Sequence, residues 1–413
     1  MGSAGTVQAV PRRRHAAARI ALAVLVPVLL AACTSANGTT GADGHVAGSR
    51  TSASPSQKPV SKVTLSVTPA PDTHGVQPTA QVVVRADNGR VQTVVLRSMT
   101  GQTVPGSVGA DGAWRSQAGL LPYATTFTVT ARGVDSDGVG RSVSTSFTTV
   151  KPGHRLVTSV SPIGGTVVGV GIPIIVRLSA PVSDRAAVER RLVVTASRPV
   201  VGAWSWVSDS EVHWRPKTYW PADTDVKLSI DLDGVHAGKD TWGDEKRVVA
   251  FHIGSAMVST VDVARHTLTV TRDGQVLRVI PVTTGKAGFI TRDGIKVILD
   301  KEPSRVMDAS SINIPKNSPN YYRLTVYWAM RVTWSGEFLH AAPWSQAEQG
   351  FANVSHGCTG MSLANAKWLY GISKVGDVVR FINSPRHLEP GNGWTDWNVP
   401  WSTWLKGDAL RTA

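Results

Sequence analysis

The sequence predicts a mainly β protein, and three observations carry that reading. Short runs rich in Val, Thr and Ile recur along the chain, among them Val63–Val67, Ala80–Val84, Thr126–Ala131 and Ile172–Leu178. Such β-branched residues suit a pleated, half-buried surface. Asp87-Asn88-Gly89, Asp111-Gly112, Asp137-Gly138 and Asp273-Gly274 punctuate these runs with residues that accept tight-turn geometry. Near the C-terminal end, Ser362 followed by Leu363–Ile372 reads as a short N-capped helix.

At 413 residues, 42% hydrophobic and 17% charged, the chain has room for two or three globular domains. The formal net charge is +14, four of it from arginines within residues 1–32, which leaves +10 for the remainder. These charges are scattered and form no Lys/Arg-rich run, which argues against nucleic acid and for attraction to an anionic cell envelope.

The first 32 residues read as an export signal: Arg12, Arg13, Arg14 and Arg19 precede an apolar run from Ile20 to Leu30. The ending Leu30-Ala31-Ala32-Cys33 resembles a bacterial lipobox, which implies lipid modification of Cys33 and a membrane anchor on the extracytoplasmic face. The alternative is an ordinary cleaved signal with a Cys nearby. Residues 33–60, rich in Ser, Thr, Ala, Gly and Pro, read as a tether. With Cys33 acylated, Cys358 has no disulfide partner, because the chain holds only two cysteines.

Residues 61–150 carry several short strands between turn signals, the pattern of an Ig-like sandwich. A second block of the same kind fills residues 151–254. Its Trp204, Trp206, Trp214 and Trp220 fit either a sandwich core or a carbohydrate-stacking surface. Residues 255–384 open with strands at Val258–Val263, Thr267–Thr271 and Val276–Val282. A loop leads from Arg305 through Pro315, Pro319, Tyr321 and Tyr322, and strands follow at Thr325–Met330, Glu337–His340 and Asp377–Ile382. Residues 385–413 hold Trp394, Trp397, Trp401 and Trp404 in an irregular tail expected to staple onto neighbouring domains, with sugar binding as the alternative.

The chemistry concentrates in Gly336–Met361. Fourteen residues separate His340 from Ser355-His356-Gly357-Cys358. An imidazole beside a thiol can take its proton and pair with the thiolate, and a following helix N-terminus would favour the same charge. Gly357 lets the backbone approach a carbonyl closely. A buried Cys near two His is equally compatible with plain packing.

This stretch closely resembles the signature of the L,D-transpeptidases, the YkuD-type catalytic domain of bacterial cell-wall enzymes. The family usually carries Asn or Arg where this chain has Gly360. Ig-like modules before such a domain resemble the actinobacterial lipoprotein members. The resemblance implies a β-sandwich or barrel-like catalytic domain with a short helix after the Cys. It also implies attack by Cys358 on the bond between the third stem-peptide residue and the terminal D-alanine of peptidoglycan. The resulting thioester is resolved by an amine to a 3→3 cross-link.

By the same resemblance His340 is the general base, oriented through the carbonyl of Ala341. Tyr322 with the backbone of Gly357 and Cys358 forms the oxyanion hole. Met307, Trp344, Ser355, His356 and Gly360 line the substrate pocket, and the loop before Tyr322 is a lid. Carbapenem β-lactams are the implied covalent inhibitors, and no cofactor is expected. Three other readings compete: an L,D-carboxypeptidase using the same thioester, a non-catalytic wall-binding lipoprotein, and a zinc site on His340, His356 and Cys358. The last lacks the spacing of known zinc motifs.

Overall fold

A computed structural model describes residues 58–411. The signal segment, Cys33 and the tether up to residue 57 lie outside the described residues. The described chain is β throughout, save one ten-residue helix and a few single turns.

The first sandwich packs the sheet of strands 64–68, 83–87, 114–116 and 106–108 against one of strands 73–76, 140–149, 126–134, 90–98 and 103–104. Thr126–Val134 shows the expected alternation, its buried positions Phe127, Val129 and Ala131 meeting Leu96 and Phe147. Asp137-Gly138 and Asp111-Gly112 close true hairpins, whereas Asp87-Asn88-Gly89 carries the chain from one sheet to the other.

The second sandwich places strands 158–161, 174–178, 211–216 and 202–206 against strands 167–168, 246–253, 224–231 and 192–196. Trp204, Trp206, Trp214 and Trp220 all sit in its core. Three of their indole N–H groups are satisfied inside: Trp204 by the Leu192 carbonyl, Trp206 by Glu189 and Trp220 by the Ile172 carbonyl. These four rings are therefore core residues and present no stacking surface.

Residues 257–382 form two sheets that do not close into a barrel. One runs 275–281, 267–272, 257–262, 378–382, 294–297, and the other 300–308, 323–331, 338–341, 359–361. Asp300–Asp308 is a nine-residue edge strand, where the sequence suggested only the approach to a loop. Charged residues and Pro303 hide it from propensity, but an edge strand tolerates Pro because its outer N–H groups need no partner. The loop expected to act as a lid thus spans 309–322 between two paired strands.

The second sandwich is joined to this domain by backbone. Gly169 N–H donates to the Val375 carbonyl and Gly171 N–H to that of Gly376, both at 2.8 Å. A Cβ at Gly169 would lie 2.2 Å from Asp377 N, so only glycine permits the approach. The tail docks across both. Trp404 donates to the Ala203 carbonyl and Trp397 to that of Gly171. Arg215 stands 4.7–5.1 Å from the ring centres of Trp397, Trp401 and Trp404. Asn398 brackets the backbone of Ile295 on the catalytic side.

Candidate active site

The strand Phe338–Ala341 and the strand Thr359–Met361 lie parallel, with His340 opposite Gly360. This pairing brings the two halves of the motif to one cleft. Met307, Tyr322, His340, Trp344, Ser355, His356, Cys358 and Gly360 all line it. Thr283, Ala342, Ser345, Val354 and the aliphatic pair Leu324 and Val326 complete the wall, residues that the sequence did not assign to the pocket.

His340 Nδ1–H donates to the Ala341 carbonyl at 2.8 Å. That bond fixes the tautomer with Nε2 as the free base, and the carbonyl needs no hydroxyl from the following residue. The imidazole is nearly fully buried, and burial holds its pKa below the ordinary histidine value against a smaller opposing effect of that bond. Trp344, half exposed at the mouth, stacks over the imidazole with ring centres 6.0 Å apart.

Cys358 departs from the expected ion pair. Its thiol donates to the Gly336 carbonyl at 3.6 Å, and no hydrogen bond joins it to His340 among the described residues. Burial, above all, pushes the thiol up to about 12. The helix Leu363–Ile372 starts only after the strand Thr359–Met361, so Cys358 does not lie in its first turn. The resting pair is neutral thiol and neutral imidazole.

The loop geometry also corrects the expected oxyanion donors. Gly357 N–H donates to Ser355 Oγ at 3.0 Å, and Ser355 Oγ–H donates in turn to the Cys358 carbonyl at 2.7 Å. Gly357 is therefore committed to shaping the loop. Its carbonyl accepts from Thr291 Oγ at 2.8 Å, and its φ of +121° suits glycine. The Cys358 N–H has no protein acceptor among the described residues. Tyr322 lines the cleft, its phenol pushed up to about 12 chiefly by burial and so retained as a donor. Tyr321 instead faces Asp308.

His356 packs between Phe289 and Tyr322, with ring centres at 4.5 and 4.8 Å, and its Nε2 is buried without a partner. Gly360 exchanges backbone bonds with Thr283. A Cβ there would lie 2.8 Å from Ala342 Cβ and 3.1 Å from Thr283 Cγ2, so this strand pairing has no space for a side chain at that position. Gly360 thus contributes backbone, not a lost polar contact. No three His, Cys, Asp or Glu residues gather as a ligand set among the described residues.

The chain aligns with L,D-transpeptidase 2 of Mycobacterium tuberculosis at 36% identity over 351 residues, 85% of each chain. It belongs to the L,D-transpeptidase family. The pattern of the L,D-transpeptidase catalytic domain matches residues 256–381 of this family member, and that of a bacterial Ig domain matches 73–236. L,D-transpeptidase 5 of Mycobacterium tuberculosis is 33% identical over 407 residues, covering 96% of this transpeptidase and 85% of that one. A solved L,D-transpeptidase structure, in complex with imipenem, is 39% identical and covers 56% of this chain and all of that one, with a TM-score of 0.49.

Proposed function

We propose that this transpeptidase works through a Cys358 thioester, with His340 as the only acid–base group. The observation that supports it is the His340 Nδ1 bond to the Ala341 carbonyl, which leaves Nε2 as a base in the cleft that also holds Cys358. His340 Nε2 takes the thiol proton as sulfur attacks the carbonyl carbon of the third stem residue. The tetrahedral oxyanion is met by the Cys358 N–H and the Tyr322 hydroxyl. On collapse, the C–N bond to D-alanine breaks and His340 returns the proton to the leaving amine. A side-chain amine of a second stem then attacks the thioester. His340 takes its proton and passes it to the departing thiolate, which completes a ping-pong cycle and a 3→3 cross-link. Water in place of the amine would give the L,D-carboxypeptidase reaction.

Two Ig-like modules at 61–150 and 151–254, a catalytic domain at 255–384 and a docking tail from 385 form the proposed layout. Strand pairings stay within each of the first three ranges, which supports it. Leu30-Ala31-Ala32-Cys33 supports lipid anchoring through Cys33 on the extracytoplasmic face of the cell membrane. Cys33→Ala should release the protein from the membrane fraction. Retention would exclude that anchor.

The family membership and the imipenem complex of a relative support a carbapenem as covalent probe. Intact-mass spectrometry should show one acyl adduct on the wild type with a carbapenem or a tetrapeptide stem, and none on Cys358→Ala. An adduct on the Ala variant would remove Cys358 from the role. His340→Ala should slow acylation by about two to four orders of magnitude.

A further inference from the structure

Beneath the Cys358 loop lies a buried charge cluster that no step of the reaction uses. Glu337 immediately precedes the strand that carries His340 and is 4% exposed. Its Oε1 accepts from Arg292 N–H and from Arg292 Nη1, each at 3.0 Å, and its Oε2 accepts from Lys296 Nζ at 2.5 Å. The Lys296 side chain is fully buried, its ammonium 3.6 Å from the centre of the Phe381 ring. Arg292 continues to Glu389 of the tail. None of these residues lines the cleft.

The cluster lies beside the nucleophile loop at Gly357. A Cβ there would come into ordinary contact with Glu337, 3.6 Å from its Cγ and 3.8 Å from its Oε1, so the Glu337 side chain flanks the loop. Thr291, next to Arg292, holds the Gly357 carbonyl. One bracket therefore grips both the peptide before the nucleophile and the carboxylate beneath it. The charges facing the thiol are few: Glu337 disfavours the thiolate, while Lys296 and Arg331 favour it. Tyr322, His340 and His356, the other titratable neighbours in the cleft, are neutral at pH 7, burial raising the phenol and lowering both imidazoles.

Resting on the reading of Cys358 as nucleophile, we infer that Glu337, paired with Lys296 and Arg292, is a positioning residue for acyl transfer. Its carboxylate anchors the Arg292 backbone next to Thr291, which holds the Gly357 carbonyl, and its negative charge is set against Lys296 beside the thiol. An unpaired buried charge on either side of this balance would shift the thiol in a defined direction.

The test uses the full chain and reads iodoacetamide alkylation of the Cys358 peptide by mass spectrometry across a pH series, alongside carbapenem acylation. Glu337→Gln should raise the alkylation rate at pH 8 by about tenfold, the effect of a one-unit drop in thiol pKa. It should slow acylation, because the Thr291–Arg292 segment that holds the Gly357 carbonyl loses its charged anchor. Lys296→Met keeps Glu337 paired with Arg292, places an apolar side chain in a buried site and should lower the alkylation rate. Mere loosening of the loop would raise it in both. Opposite signs support the proposal. Equal signs, or an unchanged Glu337→Gln, overturn it, and if Glu337→Gln does not fold, an unchanged or faster Lys296→Met overturns it alone. Alkylation of the Cys358 peptide does not depend on catalysis, so acylation of Cys358→Ala would defeat the nucleophile reading separately.

Discussion

The sulfur of Cys358 lies 3.6 Å from the Gly336 carbonyl oxygen, and the thiol donates there rather than to His340. The site therefore rests uncharged, with the base already in its working tautomer through Ala341. The thiol must turn from the Gly336 carbonyl to His340 before the proton moves, which fits catalytic hydrogen bonds that tighten only when substrate is bound.

Protonation of His340 disables the base, and burial holds its pKa below the ordinary value of 6.5. Acylation by a carbapenem should be flat through neutral pH and fall only as pH drops below about 6.5. A stopped-flow pH series checks this. An acid limb centred above 7 would show that His340 is protonated at neutral pH and would overturn the neutral base.

Tyr322 reaches the cleft and Tyr321 faces Asp308. Removing one oxyanion donor costs roughly 10²–10³ in rate where few donors remain. Tyr322→Phe should slow acylation by at least about tenfold, since the Cys358 N–H persists. Tyr321→Phe should acylate at the wild-type rate. Equal rates for all three proteins would leave the hole to backbone alone.

Gly360 has Ala342 and Thr283 where a side chain would go. Gly360→Asn should destabilise the fold by about 1–3 kcal/mol through overpacking, and should slow acylation because the paired strand carries His340. Thermal denaturation and adduct kinetics test both. A variant as stable and as fast as wild type would show that the strands yield freely at this point.

His213, in the second sandwich, bonds Asp396 of the tail at 3.0 Å and Glu211 at 2.7 Å. Burial opposes its charge, but the two carboxylates outweigh it and raise its pKa to about 9. Charged His213 thus stabilises the fold fully below about 6.5, and that contribution is lost as pH rises through about 9. Glu189 and Asp377, each raised to about 7 by burial, titrate through the lower end of this range and add to the loss there, a part that a change at Asp396 leaves in place. The melting temperature should fall between pH 7 and about 9.5. Asp396→Asn should flatten that fall, and an unaltered slope would remove the clasp from the account.

Local chemistry and spacing made much of this protein legible in its sequence. Alternating β-branched runs and Asp-Gly turns announced the sandwiches, Ser362 announced the helix, and His340 with Ser355-His356-Gly357-Cys358 announced the cleft. These signals are local because side-chain period, turn conformation and capping depend on neighbours a few residues away. The tertiary structure decided what depends on distant groups. Desolvation by the surrounding structure holds Cys358 as a thiol and His340 as a neutral imidazole. Ser355 Oγ claimed the Gly357 N–H, and the Ala342 and Thr283 side chains excluded any Cβ at Gly360. Glu337 and Lys296, forty-one residues apart, became a buried pair only because two sheets brought them together. A sequence names the groups, but their protonation and their partners depend on burial, which exists only once the chain is packed.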